Sequence, residues 1–523
     1  MDLTLLVRGN FQVPKWQAET IFRGASKSVN ISQIVIIDEN SVSNSSIAAK
    51  FRSLFTTLLN RNSHQINLLD VFPKVPPIKK IDLSVNQDSL NSDTVDFNFL
   101  KSDSILLNLS NLQISSTSLK IKAMLSLKLE RVEVQNGAEL FKQKNQNGIE
   151  LVRAQTVLYV PHSDVVTPTI FEGYSRVHGY SQSKSFREAT GMSAEVFRKS
   201  LEAISDLNSC LSKEFRSWEI IASKEKLSDS RVKRTINALK KLTYGIFYEK
   251  RWKVAFLHKE LEFTKENLFN SSELMLVDLP DKYFGAADPC GIFEEFIYCE
   301  LLSLKSGKGV LGRWGNNKWE LIDFPFKGHI SYPQIIHSNE GRYLFPEVSK
   351  WSSPALFELN SEGYPIGGPI TLKGLTDIRA LDGTLFEHQG VWYLFAGVYP
   401  TSHERLNLYF STSLFGEFIE HPQSPIVLDP RYSRMGGQIV LKGTELFRFS
   451  QDCSEKYGSM MNIFSIREIG TTKYDEVKVG SIKFSDAFGP HAISKHADSY
   501  YIDFYTENFS FGAGYRRFKA KFF

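Results

Sequence analysis

The stretch DGTLFEHQGVWYLFAG, Asp382–Gly397, decides the fold. It has a polar start, a short apolar strand, a polar turn at Gln389-Gly390 and a second, aromatic strand. Alternating strands around such a turn read as a β-hairpin. The same pattern recurs in ADPCGIFEEFIYCELL from Ala287, SYPQIIHSNEGRYLFPE from Ser331, GGQIVLKGTELFRFSQD from Gly436 and GPHAISKHADSYYIDFYTE from Gly489. Repeats at a period of about 50 residues mark a repeat architecture. Each interval leaves room for two further outer strands. Five four-stranded blades are therefore expected, which is a β-propeller.

In a propeller the first strand of each blade lines a central channel. The starts of all first strands meet at one mouth, and the end of each second strand returns there one ring further out. This phase predicts an inner ring of Asp288, Ser331, Tyr332, Asp382, Gly436 and His491. It predicts an outer ring of Glu347, Gln451, Asp452 and Glu507. Residues distant in sequence then form one polar, partly acidic pocket.

Working outward, 523 residues exceed one ordinary core, so the repeats at 246–523 leave room for another domain. The segment 1–220 reads as α/β. LTLLVRG from Leu3, ISQIVIIDEN from Ile31 and SILLNLS from Ser104 are apolar strands. The segment Trp16–Ala25 and AKFRSLFTTLLNR from Ala49 read as helices. The alternation predicts a parallel, Rossmann-like sheet, although no GxGxxG follows the first strand. Leu125–Tyr159 alternates in strand fashion. A helix is expected from Ser193, with that serine as N-cap. A charged linker helix is expected at 221–245, ending at a Gly245 C-cap.

The net charge of +4 gives no nucleic-acid footprint. The basic run Lys233, Arg234, Lys240 and Lys241 reads as a solvated helix face. The alternative is docking to an anionic membrane or a phosphate-bearing substrate. Cys210, Cys290, Cys299 and Cys453 form no CxxC pair. They read as reduced thiols of a cytoplasmic protein. The N-terminus reads as lacking a signal peptide, and no apolar run is long enough to span a membrane. Peripheral association stays open.

Several stretches carry a family resemblance. They are ADP at Ala287–Pro289, HISYPQI at His329–Ile335, Pro346-Glu347, DGTLFEHQGVWYLF from Asp382, LYFSTSLFGEFIEHPQSPI from Leu408, RMGGQIV from Arg434 and QDCSEKYG from Gln451. From about Tyr244 onward the chain resembles the propeller region at the N-terminus of plant glucosamine inositolphosphorylceramide transferases and the bacterial proteins that share it. That region is similar to the five-bladed propellers of glycoside hydrolase families 32, 43 and 68. The N-terminal half resembles a degenerate formyltransferase domain, through the strands near Leu3, Ile34 and Leu106. The Asn-x-His of that family is missing after Leu106, so formyl transfer is not expected.

The resemblance implies a base or nucleophile at Asp288 and a sugar-orienting carboxylate at Asp382. Glycosidic cleavage uses such carboxyl pairs. Glu347 follows a strand and is the candidate proton donor, since burial raises a carboxyl toward the pKa an acid requires. The bland readings are turns for Asp288-Pro289 and Asp382-Gly383 and an ordinary salt bridge for Glu347. Where the fourth blade of the hydrolases carries an acid, this chain has Arg434-Met435-Gly436-Gly437-Gln438. An arginine there suits a phosphate or carboxylate. His329, Tyr332, Arg434, Gln438, Asp452 and His491 complete the candidate ligand contacts. No dense ligand spacing points to a metal, and no cofactor is expected.

The expected function is sugar chemistry at the propeller mouth in surface-glycan or glycolipid biosynthesis, glycosyltransferase-like or glycosidase-like. A sugar, sugar phosphate or nucleotide sugar would be the substrate. The alternative is a non-catalytic glycan-binding module that positions substrate for partner enzymes.

Overall fold

The computed structural model describes residues 2–8, 12–14, 17, 20–21, 30–38, 65–67, 78–82, 89–91, 105–108, 113–115, 123–134, 149–159, 169–204, 220–223 and 231–522, the last without 259, 327, 349–350 and 497–498. Two compact units emerge. One contains 1–134, 150–178 and 182–227, and the other 135–149, 179–181 and 228–523.

In the first unit, strands Ile78–Asp82, Asn30–Asp38, Asp2–Arg8, Ile105–Asn108 and Ala123–Val134 pair in that order, all parallel. Leu5, Ile105, Leu106, Leu107 and Leu125 are buried, as near-continuous apolar runs in a parallel sheet require. Ile149–Tyr159 and Thr169–Arg176 extend the sheet as an antiparallel pair, so it is mixed. The connections that would make it Rossmann-like lie outside the described residues. So does the helix expected from Ala49, and most of that expected at Trp16–Ala25.

Helix Gln182–Ile204 begins well before the expected N-cap, and Ser193 is buried in its interior. The apolar stripe Ala189, Met192, Val196 and Phe197 runs through Gly191, whose helix penalty of about 1 kcal/mol is absorbed. The linker helix also differs. It spans Arg231–Phe247 and runs directly into a strand at Tyr248, so Gly245 lies within its last turn rather than at a cap.

The second unit is a propeller of five sheets. The first blade is Tyr283–Phe293, Phe296–Ser303, Gly309–Gly315 and Lys318–Leu321. The second is Ile330–Ser338, Gly341–Val348, Ala355–Leu359 and Pro365–Thr371. The third is Ala380–His388, Val391–Val398, Asn407–Ser411 and Ile419–Glu420. The fourth has a split inner strand, Arg434–Met435 and Val440–Lys442. Glu445–Gln451, Met461–Ile469 and Tyr474–Phe484 follow, and Glu266–Phe269 is added in parallel at its outer edge. In the fifth, Ile493–His496 and Ser499–Phe509 are joined by Tyr248–Leu257 and Met275–Leu276 from the other end of the unit. The inner strands of successive blades touch.

The aromatic strands explain the packing. Tyr343, Phe345 and Leu356 of the second blade meet Leu385, Leu394, Tyr409 and Phe418 of the third in one buried cluster. A four-stranded sheet buries both faces only when it is stacked between neighbours. Large apolar residues on both faces therefore drive the radial arrangement.

Candidate functional site

Three inner strands share an unusual local geometry. Asp288, Tyr332 and Asp382 are non-glycine residues in the left-handed region, at φ 52°, 48° and 49°. Each sits at a β-bulge, where the pairing shifts between Ala287 and Gly291, Ser331 and Gln334, and Leu381 and Thr384. Bulges re-aim backbone and side chains next to functional sites. These positions lie inside their strands, so the turns read at Asp288-Pro289 and Asp382-Gly383 are bulges instead.

The bulges link blade to blade. The Asp288 N–H donates to Asp503 Oδ2 at 2.8 Å, that of Tyr332 to Asp288 Oδ2 at 3.0 Å, and that of Asp382 to Glu347 Oε2 at 2.9 Å. Each left-handed N–H thus finds a carboxylate one blade away. Buried hydrogen bonds of this kind offset the strain of a left-handed non-glycine residue.

The second strands supply the outer ring. In register, Glu300 pairs with Ala287, Glu347 with Ser331, Gly397 with Leu381 and Gln451 with Arg434. In the fifth blade the Asp503 N–H donates to the Ala492 carbonyl. Glu300 and Asp503 stand outside the ring that the repeat phase predicts, and Glu507, which that phase predicts, lies elsewhere. Glu507 lies four residues past Asp503 and bonds Lys456 and Tyr244 instead. A signal existed: like Glu347 and Gln451, both Glu300 and Asp503 lie in the second strand of their hairpins.

His491 is the hub of the acidic cluster. Its Nδ1 lies 2.7 Å from Asp503 Oδ2, its Nε2 3.0 Å from the Tyr457 hydroxyl and 3.4 Å from Asp288 Oδ1. The Trp252 ring covers it at 4.3 Å between centroids. Burial opposes its cation, but Asp503 and Asp288 outweigh burial and raise its pKa. Asp288 is raised to about 7, chiefly by burial, with His491 opposing. Its Oδ1 is buried and makes no hydrogen bond. Glu347 is raised to about 8, first by burial and then by Asp382, yet it keeps some solvent contact. Glu300 is pushed well up by burial and then by Asp288. A small recess lined by Glu347 itself with Trp351, Ser353 and Gly383 opens beside the Glu347 carboxyl.

Asp288, His491 and Asp503 present ligand atoms within 4.8 Å of one another, a group able to hold a metal ion. Both imidazole nitrogens already have partners, and Asp503 accepts from four donors. The arrangement as it stands is a proton-sharing chain.

Arg434 does not serve as the phosphate fork that the sequence suggested. Its Nε and Nη2 grip Asp382 at 2.5 and 2.9 Å, and Gln451 Nε2 adds a bond of 2.7 Å to the same carboxylate. Two buried opposite charges at this distance satisfy each other. The Tyr332 side chain is buried in the core. Its hydroxyl donates to the Gly437 carbonyl and accepts the Gly437 N–H. Only its backbone serves the site. Gln438 bonds the Cys290 carbonyl. Asp452 accepts from Ser454 within its own loop and is raised by burial to about 6. His329 accepts the Gly309 N–H and lies 3.5 Å from Glu300. The structure therefore brings together Asp288, Glu347, Asp382, Arg434 and His491. It leaves the side chains of Tyr332, Gln438, Asp452 and His329 outside that cluster.

Residues 317–493 match the family model described as glucosamine inositolphosphorylceramide transferase 1, N-terminal. The matched stretch contains Glu347, Asp382, Arg434 and His491 but neither Asp288 nor Asp503. Glucosamine inositolphosphorylceramide transferase 1 of Oryza sativa subsp. japonica is 30% identical over 169 residues, 31% of this chain and 22% of that protein. The Arabidopsis thaliana protein of the same name is 26% identical over 157 residues, 29% of this chain and 20% of that one. The chain thus spans about a fifth of the length of these curated relatives. Among solved structures, the catalytic domain of a Coprinopsis cinerea GH62 α-L-arabinofuranosidase aligns with TM-score 0.33 and 12% identity, over 44% of this chain and 82% of that one. A thermostable family-43 glycoside hydrolase aligns with TM-score 0.31 and 11% identity, over 38% and 76%. The match does not reach the formyltransferase-like reading of the N-terminal half. Over residues 317–493 this chain is similar to the N-terminal region of glucosamine inositolphosphorylceramide transferase 1.

Proposed function

We propose that the propeller binds a sugar at the Asp288–Glu347–Asp382 cluster and acts on its glycosidic or phosphoester linkage, in glycan or glycolipid synthesis. One observation carries the reading. Two carboxyls, Asp288 and Glu347, have their pKa values raised to about 7 and about 8 beside a third, Asp382, that is held in an ion pair. Carboxyls near neutrality suit general acid–base work on a leaving oxygen. Glu347, with its solvent contact, is the proton donor in this scheme, and Asp288 the base. His491 and Asp503 hold Asp288 in place. Asp382, pinned by Arg434 and Gln451, orients the sugar. The similarity to a transferase whose name includes glucosamine supports a sugar or nucleotide-sugar ligand. Three buried free thiols, Cys290, Cys299 and Cys453, fit a reducing, cytoplasmic setting for the same activity.

A second reading is favoured by the burial of Asp288, which is 3% exposed. A base so enclosed suits a module that binds glycan without turnover.

Calorimetric titration of the full chain with free hexosamines, hexosamine phosphates and nucleotide sugars, paired with product analysis, separates these readings. Catalysis predicts binding plus turnover that Glu347→Gln abolishes while binding persists. A binding module predicts affinity alone. Folded protein that binds none of the three ligand classes overturns both.

A further inference from the structure

Two helices of the propeller unit carry charge of one sign. Helix Arg231–Phe247, RVKRTINALKKLTYGIF, holds Arg231, Lys233, Arg234, Lys240 and Lys241 and no carboxylate. Helix Ala513–Phe522, AGYRRFKAKF, holds Arg516, Arg517, Lys519 and Lys521 and no carboxylate. These nine cations exceed the chain's net charge of +4, so the remainder is net acidic. The basic character is concentrated on one structural feature.

The same feature is apolar. Val232, Ile236, Leu239, Leu242 and Ile246 recur at helical spacing and are 41–68% exposed. Phe511, Tyr515 and Phe518 are 84%, 63% and 55% exposed. The two helices are fastened together. Arg517 Nη1 donates to the Tyr244 and Gly245 carbonyls at 3.2 and 2.6 Å. Phe247 stacks on Phe509, which meets Phe511 edge-on. A groove lined by Ile236, Leu239, Lys240 and Tyr248 runs along the first helix.

Exposed leucines and aromatics among lysines, with no carboxylate within either helix and Glu249 and Glu507 only at their edge against Arg516 and Tyr244, match the boundary between acyl chains and anionic headgroups. A second copy of the chain would bring the same exposed lysines, Lys233, Lys240 and Lys241 among them, to the contact, so charge disfavours self-association through this face. Among the described residues no helix is long and apolar enough to cross a membrane, so the contact is interfacial. We propose that the face formed by helices Arg231–Phe247 and Ala513–Phe522 docks the propeller unit on an anionic lipid bilayer. This inference is independent of the sugar reading.

Co-sedimentation of the full chain with phosphatidylcholine vesicles, with and without phosphatidylserine, tests it. Binding is expected only to the phosphatidylserine vesicles and should weaken as salt rises. The double variant Lys240→Glu, Lys241→Glu should weaken partitioning roughly 30-fold or more. Leu239→Ser with Phe511→Ser should weaken it about tenfold while the salt dependence persists. All four side chains are exposed, and an unchanged melting temperature checks that the variants fold. Equal binding to neutral vesicles, or no binding to either, overturns the proposal. So does a dimer that is lost on Leu239→Ser.

Discussion

Asp503 accepts the N–H groups of Asp288, His491 and Ala492 together with His491 Nδ1, and it is fully buried. Each buried donor left without a partner costs about 1–3 kcal/mol. Asp503→Ala is therefore expected to destabilise the protein by on the order of 3–5 kcal/mol in urea unfolding. Arg434→Ala leaves Asp382 buried and held by Gln451 alone, and a loss of about 3–5 kcal/mol is expected by the same measurement. Glu347 behaves differently. Its folded pKa lies above its unfolded value, so its contribution to stability is present at acid pH and is lost as pH rises toward about 8. Glu347→Gln keeps the acceptor for the Asp382 N–H and removes that loss. The variant should gain about 1–2 kcal/mol on the wild type between pH 5 and pH 9, after discounting for solvent contact, as read by melting at both pH values. In a pH–rate profile the Asp288 and Glu347 limbs should fall near 7 and 8.

At the scale of the element, the inner strand of the fourth blade is interrupted at Gly436-Gly437. Gly437 has φ 119°, and a side chain there would meet the Ile493 carbonyl at 1.9 Å. Gly437→Ala should cost about 3 kcal/mol or more and release the Tyr332 hydroxyl, measurable by denaturation and near-ultraviolet dichroism. This scale also divides what the sequence made legible from what it did not. Hairpin period, turn residues and aromatic strands are local, so the blades and the positions of Asp288, Glu347 and Asp382 could be read directly. The left-handed bulges could not, because nothing in Ala287–Pro289 or Leu381–Gly383 distinguishes a bulge from a turn. The partner of Arg434 was hidden for another reason. Asp382 stands 52 residues away, and only the winding of the blades decides whether an arginine meets a ligand or a carboxylate. Asp503 escapes the repeat phase because the fifth copy carries a second acid, Glu507, at its end, and only the strand pairing tells the two apart.

For the whole molecule, the fifth blade is built from both ends of the propeller unit, with Tyr248–Leu257 paired along its length to Ser499–Phe509. That pairing makes the ring one cooperative body, and it dictates an order of events. A ribosome releases Tyr248–Leu257 some 240 residues before its partner, and closing so distant a contact is slow. Until Ser499–Phe509 emerges, Tyr248–Leu257 lacks the strand it pairs with along its whole length, and Trp252 lacks the Tyr505 ring that packs on it. Nascent chains stalled before that point should stay open to protease and bound by holdase chaperones, whereas those stalled beyond it should snap shut.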